Sequence, residues 1–296
     1  MLELKNSGLP LYIDEKNHVM ALSALLKYDG FGRKTVEKMQ GLLADEHDLP
    51  LDELVYDVYR GIAYPEDEEL LKKNDYRYDI TIIMPGQVNG ECKKTSGHYH
   101  GWNPEKTNTY AEVYEVIKGT ALYILQKSDN FDAEDPADVR VDDLIFATVH
   151  EGETILIPPN YGHCSVNIGD GPLVFSNLAY VPCPVHYGPV KQFHGMSFYV
   201  MVENGEVKLK ANDKYVDVPK AKFATVKENP HLGIQFGLPV YESYKKNPEA
   251  FEFLGKPDGF VDELSLIHIL LYLLKDKETM KDKGDRTEFL LSRYKQ

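Results

Sequence analysis

From about residue 77 to residue 210 the chain is a succession of short apolar, β-branched and aromatic runs, each closed by a turn signal. Ile80 to Met84 ends at Pro85-Gly86, and Lys118-Gly119 separates Ala111–Ile117 from Ala121–Leu125. Glu203-Asn204-Gly205-Glu206 contains an Asn-Gly hairpin turn. Further strands are predicted at 144–149, 153–157, 163–167, 173–180, 197–202 and 206–210, with an acidic loop over 127–143. No helices alternate with them, so an antiparallel barrel or double-sheet roll is the fold this spacing favours.

The flanks read differently. Leu11–Asp14 and Val19–Leu22 predict two short strands around a turn. Residues 34–44 predict a helix, with Val36, Met39, Leu42 and Leu43 on one side. Residues 54–59 fit helix or strand, and 64–76 a loop or short helix. Beyond about 215 the pattern changes, and 261–274 and 276–293 are predicted helical. The expected division is 1–75, strands and a helix packing on the barrel; 76–215, the barrel; and 216–296, a partly helical C-terminal extension.

The 33 basic and 47 acidic side chains give a net charge of −14, which argues against nucleic acid or an anionic membrane as partner. An anionic ligand would need local compensation from a metal, a lysine or backbone N–H groups. Tyrosine is frequent at 20, and its ring and hydroxyl suit a polar pocket. Three cysteines, Cys92, Cys164 and Cys183, with no CxxC pair, suit a reduced cytoplasmic protein. Met1–Asn6 has no apolar signal core, and the apolar run Leu264 to Leu274 is too short to span a bilayer. That run is expected to pack internally or at a dimer contact.

Chemistry concentrates at Gly97-His98-Tyr99-His100. Side chains alternate in a strand, so His98 and His100 share a face, as two ligands of one metal must. A third histidine follows in Gly152, Pro158, Asn160, His163 and Asn167, which form G-x5-P-x-N-x2-H-x3-N. This resembles the second cupin motif, with Asn160 where glycine is usual. Asparagine is a residue that tolerates positive φ. Glu112-x6-Gly119 resembles the second half of the first cupin motif, after a gap from His100 that is longer than usual. Glu105 lies nearer His100, but it follows Pro104 in a loop-like stretch and has no glycine at the required distance, so Glu112 is the expected ligand. Three imidazoles and a carboxylate suit Fe(II), Mn(II), Ni(II) or Zn(II) with positions left open for substrate.

The longer match is sharper. Thr95-Ser96-Gly97-His98-Tyr99-His100, Ala111–Gly119 and Ile157–Asp170 together resemble the cupin-type glucose-6-phosphate isomerase family. Met84-Pro85-Gly86 and Val202–Val207 extend the resemblance, which covers roughly residues 8–213. It implies a mainly β, jelly-roll-like cupin double-stranded β-helix. It also implies interconversion of D-glucose 6-phosphate and D-fructose 6-phosphate with one divalent metal per chain, Fe(II) first among the ions above. His98, His100, Glu112 and His163 would bind the metal, with Glu112 and His163 catalytic. Thr81, Thr95, Gly97 and Tyr114 would hold the phosphate, and Tyr180 and His186 would line the sugar pocket. A homodimer is expected. A cupin oxygenase, a non-catalytic sugar-phosphate-binding cupin and a mannose-6-phosphate isomerase are the competing readings.

Other residues have plainer expectations. Lys93 and Lys94 either form a solvated charged edge or add positive potential to the site. Cys164 is expected to be a small core thiol facing away from the metal. Trp102 could cap the pocket mouth or pack on the N-terminal segment. His18, His47, His150, His194, His231 and His268 have no ligand partners by spacing.

Overall fold

The computed structural model describes residues 1–264, 269–272 and 289–290. Two sheets dominate it. The first orders its strands Thr154–Ile157, Glu112–Lys118, Leu173–Tyr180, Tyr76–Ile83, Leu54–Arg60 and Gly30–Thr35. The second orders Tyr161–Asn167, Thr120–Lys127, Asp143–His150, Lys222–Val226 and Ile269–Tyr272. All neighbours within these sheets run antiparallel except Asp143–His150 with Lys222–Val226. This is the mainly β cupin roll, and the expected strands between 76 and 211 are all present. Leu11–Ile13 and Met20–Leu22 also pair as expected, and residues 54–60 form a strand. Asn204 and Gly205 make the hairpin with φ of 53° and 80°. Among the described residues no helix is long and apolar enough to cross a membrane.

Alternation along the first sheet creates two cores. Ile83, Tyr114 and Phe175 point inward to a cluster shared with the second sheet, and the rings of Tyr114 and Tyr123 lie 5.6 Å apart. Tyr78, Ile80, Ile82, Val113 and Leu178 point outward. There they meet Leu11 and Ile13 from the N-terminal segment and Val240, Tyr241, Phe251 and Phe253 from the C-terminal one. Residues 4–26 and 232–264 thus contribute an outer layer over the first sheet. That sheet runs across residue 75, because Leu54–Arg60 pairs with Tyr76–Ile83.

Glu115 lies on the outward face between these layers and is 1 % exposed. Its Oε2 accepts the Val240 N–H at 3.0 Å and the Ser176 hydroxyl at 3.4 Å. Burial pushes its carboxyl up to about 8, against these two hydrogen bonds. The native state therefore holds a proton that the unfolded chain has released above the ordinary carboxylate range. Stability should fall as pH rises from about 4.5 to about 8. Glu115→Gln should flatten that dependence and stabilise the protein at pH 9. Denaturant melts of both proteins at pH 5 and pH 9 check this; parallel pH profiles would refute it.

Three predicted helices require correction. Residues 34–44 hold the end of the Gly30–Thr35 strand and a short 3₁₀ turn, Val36–Met39. Val36, Met39 and Leu42 are all buried, and their spacing of three also fits a 3₁₀ repeat, which the helical pattern mimicked. Among the described residues of 261–274, Val261–Leu264 is helical, while Ile269–Tyr272 adds a strand beside Lys222–Val226. A short apolar run does not distinguish a buried helix from a strand. Of 276–293, Phe289–Leu290 pairs with Glu206–Ala211 as strand, and the rest lies outside the described residues.

Candidate metal centre and substrate cavity

His98 and His163 face each other through their backbones. The His98 N–H donates to the His163 carbonyl at 3.1 Å, and the reverse bond is 2.9 Å. His100 follows on the same face in the two-residue strand Tyr99–His100. Tyr99 points the other way, stacked on Phe131 with ring centroids 5.2 Å apart. A Cβ on Gly162 would lie 2.6 Å from that buried ring. Gly162→Ala should therefore cost about 1–3 kcal/mol through overpacking, measurable by chemical denaturation; an unchanged midpoint would disprove the clash.

The opposite wall supplies Glu112, the first residue of Glu112–Lys118. One ligand atom from each of His98, His100, Glu112 and His163 lies within 4.8 Å of all the others. Glu112 Oε2 is 3.2 Å from His100 Nε2 and 3.4 Å from His163 Nε2, and the Nε2 atoms of His98 and His100 are 3.3 Å apart. His100 donates Nδ1–H to the Tyr110 carbonyl at 2.9 Å, which leaves Nε2 as a lone-pair donor. The Tyr114 hydroxyl donates to Glu112 Oε2 at 2.8 Å and lies 3.0 Å from His163 Nε2. Asn177 donates to Oε1 at 2.7 Å.

Burial holds His98 well below its usual value, with further lowering from His163 and His100, and it lowers His163 as well. Burial also opposes charge on Glu112, yet His100 and His163 hold its carboxylate well below the ordinary range. Converging imidazoles about one shared carboxylate oxygen form a donor set that fits a divalent transition metal. Glu105 is exposed in the loop. Glu105→Gln should leave metal stoichiometry unchanged and shift stability by no more than about 0.5 kcal/mol; loss of metal by elemental analysis would reverse the choice of Glu112.

The centre opens on a cavity of about 420 Å³. Thr81, Thr95, Gly97, Tyr114 and Tyr180 line it, with Tyr56, Asn177 and Tyr187. Gly97 has φ of +74°, and a Cβ there would meet Met196 Sδ at 3.0 Å. Asn160 adopts φ of +68°, as glycine would at that position. His186 is not among the lining residues. Its strand partner is Tyr99, so it shares the side facing away from the metal, and its ring packs on Phe131. Val185, paired with His100, lines the cavity instead.

Neither expectation for Lys93 and Lys94 survives. Both are buried; Lys93 pairs with Glu53 at 2.6 Å and Lys94 with Glu91. Cys164 is a buried thiol that donates to the Thr95 carbonyl. Trp102 packs on the acidic loop, stacking on Phe131 and donating Nε1–H to Asp132 at 2.8 Å. Asn177, Tyr187, Lys34, Arg60 and Arg77 had no motif to mark them; strand register brings all but Tyr187 to the site. The long loop between His100 and Glu112 is held from outside the sheet. Asp258 accepts hydrogen bonds from Asn103, Thr107 and Asn108 at 2.8, 2.6 and 2.7 Å.

A family model described as glucose-6-phosphate isomerase matches residues 33–217, taking in every metal-ligand candidate. The chain belongs to the glucose-6-phosphate isomerase family. A relative named glucose-6-phosphate isomerase from Pyrococcus furiosus is 32 % identical over 164 residues, covering 55 % of this chain and 74 % of the relative. Another of that name, from Thermococcus onnurineus, is 30 % identical over 186 residues, or 62 % and 86 %. Among solved structures, oxalate decarboxylase from Bacillus subtilis overlaps 42 % of this chain and 25 % of its own at 22 % identity and a TM-score of 0.27, too loosely to argue from. Within the isomerase family match lie the first sheet from Arg33 onward and most of the second, whereas Asp258 and the Val240 contact to Glu115 fall beyond it.

Proposed function

We propose that this protein interconverts D-glucose 6-phosphate and D-fructose 6-phosphate, using a divalent metal held by His98, His100, Glu112 and His163. The observation that carries the reading is the convergence of those four side chains, three of them bordering a cavity that also presents hydroxyl, amide and cationic groups. Both relatives described above bear the name of that activity. Fe(II) as resident ion, a cytoplasmic location and a homodimer belong to the same proposal.

When bound, a divalent metal at these four residues would supply Lewis acidity toward the substrate oxygens at C1 and C2. The chain's own residues do the rest. Thr81, Thr95 and the Gly97 backbone would hold the phosphate and Tyr180 would border the sugar, whereas Tyr114, expected among the phosphate contacts, commits its one O–H to Glu112 Oε2. Thr95 Oγ1 accepts the Ser165 N–H at 3.0 Å, which fixes the hydroxyl's position beside the cavity. Glu112 moves a proton between C2 and C1, its carboxylate oriented by Asn177 at Oε1 and by Tyr114 at Oε2. His163 Nε2 lies 3.4 Å from the same carboxylate oxygen, close enough for one divalent ion to bind both.

The test is a coupled isomerase assay on metal-stripped and metal-reloaded protein. Turnover of fructose 6-phosphate that returns with Fe(II), without oxygen, supports the reading. Absence of turnover with every divalent ion in the set above overturns it, and oxygen consumption instead would favour the oxygenase.

A further inference from the structure

Four cationic residues border the cavity: Arg33, Lys34, Arg60 and Arg77. Three are already matched to carboxylates. Arg33 alternates to the outward face with its partner Asp57, which it holds at 2.8 and 2.6 Å. Arg77 donates to the buried Asp79 at 2.8 and 2.9 Å, and Arg60 reaches the same carboxylate at 3.3 Å.

Lys34 differs. It is half-buried on the Gly30–Thr35 strand. Its register partner is Tyr56, which pairs in turn with Ile83 of the inner core. Lys34 therefore shares the inward face with Thr81 and Tyr114. Among the described residues no carboxylate pairs with its ammonium. Burial pulls the ammonium below its usual value, and the like charges of Lys191 and Lys38 add to that. A half-buried cation with cations for neighbours lacks a counter-charge. Beside it the Tyr56 and Ser96 hydroxyls lie 3.2 Å apart. The strand carrying Lys34 is two places from the strand carrying Thr81, about 10 Å at ordinary strand spacing, a gap the lysine stem largely bridges.

We propose that Lys34 is the counter-ion of the substrate phosphate and sets the preference for phosphorylated over unphosphorylated sugars. The inference rests on the isomerase reading for its substrate, but not for its anion. A six-carbon sugar phosphate carries its charge at the end opposite C1 and C2, so the phosphate must lie away from the imidazoles. Thr81, Tyr56 and Lys34 lie in that direction across the sheet, and a phosphate dianion would provide the charge Lys34 lacks.

Calorimetric titration of metal-loaded protein with inorganic phosphate, glucose 6-phosphate and glucose tests this, using wild type, Lys34→Met, Lys34→Arg and the rim control Lys38→Gln. Lys34→Met should bind phosphate and glucose 6-phosphate roughly 10- to 100-fold more weakly and raise KM in proportion, with kcat within about twofold. Glucose binding should be unmoved, Lys34→Arg should recover most of the loss, and Lys38→Gln should match wild type. Equal phosphate affinity in Lys34→Met and wild type, equal weakening toward glucose, or no phosphate binding by wild type would each overturn the proposal. Lys34-dependent phosphate binding without turnover would retain the anion site and reject the isomerase reading.

Discussion

His163→Ala should abolish isomerisation while leaving a folded protein. The substitution removes an imidazole whose backbone is locked to His98 in both directions, so the strand pairing survives as the ligand is lost. Lewis-acid stabilisation is worth several kcal/mol, which corresponds to a fall in kcat of roughly a thousandfold or more. Equilibrium dialysis should show weaker metal binding, and excess Fe(II) or Mn(II) should restore only part of the activity. Turnover within tenfold of wild type at sub-stoichiometric metal would exclude His163 as a ligand.

Glu112→Gln separates two roles of one carboxylate. The amide keeps the size of the side chain and can accept the Tyr114 hydroxyl in place of Oε2. It cannot carry a proton. If Glu112 transfers the proton, kcat should fall by about 10²- to 10⁴-fold, and wild type in D₂O should incorporate deuterium at C1 of fructose 6-phosphate. Product free of solvent deuterium, with substrate C2 deuterium retained in it, would point to a hydride shift and confine Glu112 to metal binding. Metal content must be measured beside the rate, because the substitution also weakens a ligand.

The clustering of the four residues was legible in the sequence because each is tied to a local geometric rule. His98 and His100 are fixed by strand alternation, His163 by the turn at Asn160, and Glu112 by its distance to the Gly119 turn. Strand positions were legible for the same reason: period two and turn residues are local. The far side of the cavity was not. Lys34, Arg60, Arg77 and Asn177 belong to four strands whose proximity depends on register across the sheet. His186 was misplaced because a two-residue strand inherits its facing from its partner Tyr99, which no spacing reveals. Lys93 and Lys94 looked like solvated charges, since their partners Glu53 and Glu91 cannot be paired with them without the fold.

Asp258 and Val240 have a practical consequence. A fragment cut at residue 217, where the family match ends, would keep all four metal ligands. It would nevertheless strip Phe251, Phe253 and Leu254 from the outward face of the first sheet and leave the buried Glu115 without its Val240 donor. It would also release the loop whose Tyr110 carbonyl sets the tautomer of His100. The segment that the family match covers and the segment that completes the packing around its first sheet are therefore of different lengths in this protein.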